Sequence, residues 1–302
     1  LGAFAQDKKK DAEAVKAEVT TEKKDEAVDE ADKVITNRRL RADMGSVSDW
    51  SIRSFFNYQG GSLEKPLAAD RPNIVNGADA LTLANASGSI GVRYRVTKFD
   101  SLNLSFGINM TTPFQSSIKT NNAALKKNFD DNKQKTTVND PTLSYSHVAS
   151  LLGMQSITGL SSTWITNAQL VDADYDSLHI ASQTFMKDFG NGFSAGVAFQ
   201  ALFYTFDGNQ QGVTDRVLGV YPAAEYVIND TYNLRTVFGT WVYQHNRGAE
   251  ENTYVKRDVY QSVGLGISLS RDVFLYPNIQ YIPSDIRSDR TNVAISANIN
   301  MF

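Results

Sequence analysis

The residues in this sequence whose types and spacing could do chemistry are mostly cations. Arg53, Arg93, Arg95 and Arg235, with Lys187 and Glu225, fall on the polar parity of segments whose alternate positions are apolar. Guanidinium groups on the inner face of a sheet that closes on itself can act in two ways. As a ring of fixed cations they select anions at a narrow passage. Paired with Glu225 and with acids from the loops, they fill the space instead. The residues alone leave both readings open.

Nucleophilic catalysis needs a Ser or Cys within hydrogen-bond reach of a base that a third group orients. The chain has no cysteine and only three histidines, His147, His179 and His245. His147 takes the apolar parity of its segment while Ser144, Ser146 and Ser150 take the other. His179 takes the polar parity, and His245 borders a loop in which Glu250-Glu251 is a plain charge cluster. Neither His179 nor His245 has an adjacent acid at useful spacing, so no catalytic residue is assigned and the chain reads as a non-enzyme. The lack of Cys also removes a disulfide framework, a zinc–thiolate site and a lipoprotein acyl anchor. Acid spacing is irregular and no two histidines fall at ligand spacing, so neither metal nor cofactor is expected.

The elements that must position these groups are strands. Between Ser101 and Thr111, Leu102, Leu104, Phe106, Ile108 and Met110 alternate with Asn103, Ser105, Gly107 and Asn109. A period of two marks a strand with one apolar face, and ~9–11 residues is the length that crosses a tilted bilayer. About twelve such segments follow one another: 48–59, 81–98, 101–111, 141–152, 160–171, 177–187, 193–206, 217–228, 232–244, 258–270, 273–282 and 290–302. Short Gly-, Asn- and Asp-containing connections alternate with longer ones, of which 112–140 is the longest and carries five lysines beside Asp130 and Asp131. Tyr58, Phe99, Tyr226, Tyr232 and Tyr281 gather near segment ends, where a membrane-interface girdle lies.

These features predict an all-β fold, a transmembrane antiparallel barrel of about twelve strands over residues 48–302. A net charge of −3 and a mean hydropathy of −0.33 fit this, because each strand gives only half its side chains to lipid. No run approaches 18 apolar residues, which excludes a helical span, and without a basic excess no nucleic-acid partner is expected. Leu1-Gly2-Ala3-Phe4-Ala5 reads as a signal-peptide remnant with cleavage after Ala5. Residues 6–47 form a charged segment, helical or disordered, with small apolar stripes at Ala12, Val15 and Val19 and at Val28, Ala31 and Ile35. The spacing of three and four suggests that Val15, Val19, Val28 and Ile35 oligomerise with copies of the chain.

The alternating strands, the loop asymmetry and the terminal Phe302 resemble the outer-membrane barrel proteins of Gram-negative bacteria, over residues 48–302. The resemblance implies that barrel-assembly machinery reads the C-terminal strand, here Ile295, Ile299, Met301 and Phe302, although Asn298 and Asn300 rather than apolar residues share the parity of Phe302. It further implies an outer-membrane location with the charged segment and the C-terminus in the periplasm. Porin-like diffusion of small hydrophilic solutes, anions among them, is one function it allows. A non-conducting, lipid-organising homo-oligomer with a lumen closed by side chains is the alternative. More narrowly, the chain looks like the porin-like outer-membrane proteins of predatory bacteria, which implies ring-shaped homo-oligomers that enclose membrane lipid in addition to the annular lipid around each barrel.

Overall fold

Alternating strands of this length leave no free edge only if the sheet closes on itself, and in a bilayer closure is obligatory because lipid satisfies no backbone group. The computed structural model, which describes residues 29–302, has this closure. Twelve barrel strands run in order: β1 (Trp50–Ser62), β2 (Asn85–Arg95), β3 (Asp100–Thr111), β4 (Thr136–Leu151), β5 (Met154–Trp164), β6 (Tyr175–Asp188), β7 (Phe193–Phe206), β8 (Thr214–Val227), β9 (Tyr232–Gly239, continued after Thr240 by Trp241–Asn246), β10 (Tyr260–Ser268), β11 (Val273–Tyr281) and β12 (Asn292–Met301). Each pairs antiparallel with its neighbour in sequence, and β12 returns to β1 with Ile52 opposite Met301 and Tyr58 opposite Ile295. The outer wall is apolar: Phe56, Ile90, Val92, Leu104, Phe106, Leu160, Phe199 and Leu234 are all exposed. So continuous an apolar surface needs a cover, and at this strand length the cover is lipid.

One end of the barrel carries the short turns. The tightest joins β4 to β5 through Leu152 (φ 53°) and Gly153 (φ 71°), the left-handed pair that a two-residue hairpin matching strand twist requires. The sequence reading placed β5 at 160–171, beginning after Gly159. The strand instead starts at Met154 and ends at Trp164, because Gly159 lies in the ladder opposite Ser182 rather than in a turn. Ala168–Val171, expected at the end of that strand, is a single helical turn.

The other end carries the long loops, and these have a small core. A two-stranded hairpin (Asp70–Pro72 with Leu81–Leu83) packs against a helix, Ala123–Asn132, through buried Ala69, Leu83, Leu125 and Phe129. Among the described residues no helix is long and apolar enough to cross a membrane; the crossing elements are strands.

Candidate functional site

The candidate site is the lumen, and its short-turn end is filled by the chain's own N-terminal segment. Two helices precede the barrel, α1 (Glu30–Val34) and α2 (Arg38–Met44). Asp29 caps α1 by accepting from the Ala31 N–H at 2.9 Å, and Asn37 caps α2 by accepting from the Leu40 N–H at 3.0 Å. Helices of one or two turns are unstable alone, so these depend on what surrounds them. Ala31, Ile35, Leu40 and Met44 are buried against Val148 of β4 and Met186 of β6, with Phe99 and Ile157 at the margin. Ala42 packs on Phe274 and Tyr276 of β11.

Polar bonds pin this plug around the circumference. Arg95 donates to both oxygens of Asp29 at 2.7 and 2.9 Å. Arg271, in the β10–β11 turn, donates to both oxygens of Asp32 at 2.7 and 2.6 Å. Gln155 of β5 accepts from the Asn37 N–H and donates to the Thr36 hydroxyl, both at 2.8 Å. Asn298 and Asn300 of β12 donate to Asp43 at 2.7 Å and to the Ala42 carbonyl at 2.8 Å. At the rim Arg38 reaches Asp230 at 2.9 Å and Lys98 reaches Glu30 at 2.6 Å. Burial acts to raise the Asp29 carboxyl pKa, but the Arg95 guanidinium and the Ala31 N–H outweigh it and hold the group below its ordinary 3.8.

The arginines singled out in the sequence stand on the inner face; Arg93 and Arg95 bond the plug directly, and Arg235 reaches it only through Glu225. Arg93 donates to the Ser46 carbonyl at 2.8 Å. Arg53 stands on the inner face beside Asn300 in the ladder. Arg235 and Glu225 form an ion pair with both side chains 4% exposed. Glu225 also accepts from Asn37 at 2.8 Å and from Asn233 at 3.1 Å. Lys187 corrects the expectation: its neighbour Met186 packs inward on the plug, so Lys187 points to the outer wall, 5.9 Å over the Phe189 ring. Ile35 is a second correction. It is fully buried inside the barrel and offers no surface to another copy, while Val15, Val19 and Val28 lie outside the described residues.

The histidines find acids or hydroxyls that spacing along the chain did not reveal. His245 is buried between Asp215 of β8 at 2.7 Å and the Glu250 carbonyl at 3.0 Å. On the outer wall Asp100 accepts from the Tyr145 hydroxyl at 2.6 Å and meets the His147 ring at 2.8 Å. His179 also faces outward, against the parity reading, with Ser162 at 2.9 Å and Ser177 at 3.2 Å. The second ring nitrogen of His179 thus meets a hydroxyl rather than a carboxylate. In β12, Ile295 and Met301 are each 40% exposed on the outer wall, and Phe302 is 80% exposed at the rim. No cluster of three or more potential metal ligands occurs among the described residues.

Sequence reasoning missed the plug. Its one visible signal is apolar residues on lumen parity, Val148 and Phe274, in strands whose other face is also apolar. Beyond the plug a cavity of about 530 Å³ remains in the lumen, bordered by Arg39, Phe55, Gln200, Tyr221 and Tyr260.

No family model matches the chain, and no curated protein matches it. Among solved structures it is similar to an outer membrane channel from Pseudomonas putida F1, with a TM-score of 0.53 and 13% identity over 86% of this chain and 98% of that one. It also matches the NanC porin (TM-score 0.42, 10% identity, 83% of this chain and 98% of that one) and the KdgM porin (0.42, 9%, 82% and 98%). At such identities the likeness is one of fold: the chain is a closed, twelve-stranded antiparallel barrel similar to those of outer-membrane proteins.

Proposed function

We propose that this chain is a porin-like channel of a Gram-negative outer membrane, closed at rest by its own N-terminal segment and passing small hydrophilic solutes when that segment is displaced. The observation that carries this reading is the placement of residues 29–47 inside the barrel, pinned by Asp29–Arg95 and Asp32–Arg271. In this reading the short-turn end and both ends of the barrel chain face the periplasm, the long loops face outward, and Ile295, Ile299, Met301 and Phe302 are what the assembly machinery reads. In the same reading, association of copies of the chain through Val15, Val19 and Val28 would take place on the periplasmic side.

The plug equally favours a second reading, a permanently closed barrel that organises lipid as a homo-oligomer. Planar-bilayer recording separates the two. The full chain is expected to be almost silent, and the chain lacking residues 29–47 is expected to give stepwise current. That current should favour anions, because Arg93 and Arg95 lose their plug partners and lie at the opening within a Debye length of the passing ion. A full chain that conducts freely overturns the closed resting state. A deleted chain that stays silent leaves the lipid-organising reading.

Closure is also expected to resist mild acid. A carboxylate whose pKa is lowered on folding stabilises the fold above its unfolded pKa, and this is lost as pH falls through the folded value. For Asp29 that places the loss below 3.8. Conductance of the full chain should therefore stay flat between about pH 8 and 5 and rise only below about pH 4. An increase already present near pH 6 would assign the latch to other groups.

A further inference from the structure

At the long-loop end a second cavity, about 510 Å³, opens between the inner wall of β2–β4 and the loop helix Ala123–Asn132. Its lining is chemically biased. Six asparagines face it: Asn85, Asn109 and Asn139 from the wall, Asn128 and Asn132 from the helix, and Asn167 from the β5–β6 loop. Threonines supply hydroxyls between them, and Arg71 and Lys135 supply two positive charges, with no carboxylate in the lining. The acids of the helix are engaged elsewhere, Asp130 with Lys126 and Asp131 with Lys127.

Asn132 donates to the carbonyl and the side-chain oxygen of Asn128 at 3.0 and 2.9 Å, but the polar capacity of the other four asparagines is largely unused. The Asn85 Oδ1 atom is buried without a partner. Among the described residues the side-chain amides of Asn109 and Asn139 bond to no other protein group, and Asn167 spends only its oxygen, on the Gln169 N–H at 3.0 Å. Arg71 uses its Nε on the Leu83 carbonyl at 3.2 Å, which leaves the fork of its guanidinium free. Burial lowers the Arg71 pKa to about 10, so it stays charged at neutral pH. Apart from the Asn85 oxygen these groups are half-exposed and meet water in the free protein; donors and acceptors of both kinds converging on one space suit a ligand that can replace that water by both giving and taking hydrogen bonds.

We propose that this cavity binds an acidic sugar, a polyhydroxyl ring that carries a carboxylate. Each side-chain amide offers two donors and one accepting oxygen, which matches the hydroxyls of a sugar, where every group both donates and accepts. Arg71 presents two parallel N–H groups to a carboxylate, and Lys135 adds a point charge. An inorganic anion would use the two cations and the amide N–H groups but leave most amide oxygens without a donor, whereas a neutral sugar would use the asparagines and leave the cations without an anion. The volume is within the ~300–1,000 Å³ of small-molecule sites.

The site faces the cell exterior only if the orientation proposed above holds, but binding itself requires neither that orientation nor an open lumen. The test is calorimetric titration of the full chain in detergent micelles with mannuronate trimer, mannotriose and inorganic phosphate. The mannuronate trimer should bind at least about tenfold more tightly than mannotriose, a difference of about 1.4 kcal/mol. Arg71→Gln with Lys135→Gln should abolish that preference by weakening the mannuronate trimer far more than mannotriose. Lys135 is exposed and makes no side-chain bond among the described residues, so Lys135→Gln alone, which should reduce the preference, tests the charge without risk to the fold. Asn109→Ala with Asn139→Ala should weaken both trimers. The proposal falls if neither trimer binds, or if both bind alike. It also falls if phosphate displaces the acidic trimer while the asparagine variants change nothing. Because the plug stays in place throughout, a failure here is distinct from a failure of the conductance experiment.

Discussion

Replacing Arg95 and Arg271 together by Gln is expected to turn the silent barrel into one that opens and closes in planar bilayers. Each arginine grips one plug carboxylate with two charge-assisted hydrogen bonds, Arg95 on Asp29 and Arg271 on Asp32. Both also hold the backbone at the C-terminal end of the plug. Arg95 donates to the Val47 carbonyl at 2.6 Å and Arg271 to the Gly45 carbonyl at 2.8 Å. Hydrogen bonds to charged groups contribute about 1.5–3 kcal/mol when well buried. These pairs keep some contact with solvent, with side chains 8–22% exposed, so roughly 1–2 kcal/mol per arginine is the reasonable size after screening. The two together then shift the open-to-closed ratio by about 30- to 1,000-fold. The barrel itself should be untouched, since its strands close on one another; a closed barrel resists detergent unfolding, so a gel shift between unboiled and boiled protein is expected for wild type and variant alike and serves as the control. Should the double variant stay silent while the chain lacking residues 29–47 conducts, the apolar contacts of Ile35, Leu40 and Met44 hold the plug and the arginines do not.

The barrel was readable from sequence because lipid imposes a simple rule on its outer wall. From Ser101 to Thr111 every second residue must be apolar, and it is, so the β3 boundary was found to within one residue. That rule holds only where the inner face meets water or polar groups. In β6 the inner face meets the plug, so the apolar parity of Leu178, Ile180 and Met186, which puts Lys187 and His179 on the polar side, marks the inner face: Met186 is buried on Ile35 and its neighbours. Taking the polar side as the lumen therefore turns Lys187 and His179 the wrong way, because a slip of one residue reverses a whole strand. The plug contacts join residues far apart in the chain, Asp29 with Arg95 and Asp32 with Arg271. His245 and Asp215 likewise meet only across the β8–β9 pairing. Clustered inward arginines could be recognised from parity. Their occupation could not, because their partners lie on a segment whose own charges looked solvated.

Glu225→Gln is expected to destabilise the barrel far more than the paired replacement Glu225→Leu with Arg235→Met. In the native protein Glu225 and Arg235 are both almost fully buried, and the guanidinium also lies 5.5 Å over the Tyr276 ring. Burying either charge alone is costly, and their mutual attraction does little more than offset the loss of water. Gln at position 225 leaves Arg235 buried without its counter-charge, a loss of about 3–5 kcal/mol. Removing both charges with side chains of similar volume also removes the need for compensation, so the double variant should lose under about 1.5 kcal/mol. Urea unfolding of lipid-reconstituted protein, followed through the gel shift, measures both. Gating should divide differently. Asn37 donates to Glu225 at 2.8 Å, and the double variant deprives it of an acceptor while sparing the barrel. An almost fully stable double variant with raised open probability would mark this pair as the point where the plug reads the wall. Equal destabilisation by the single and double variants would mean that Arg235 is solvated well enough to stand alone, and that the lumen behind the plug is wet.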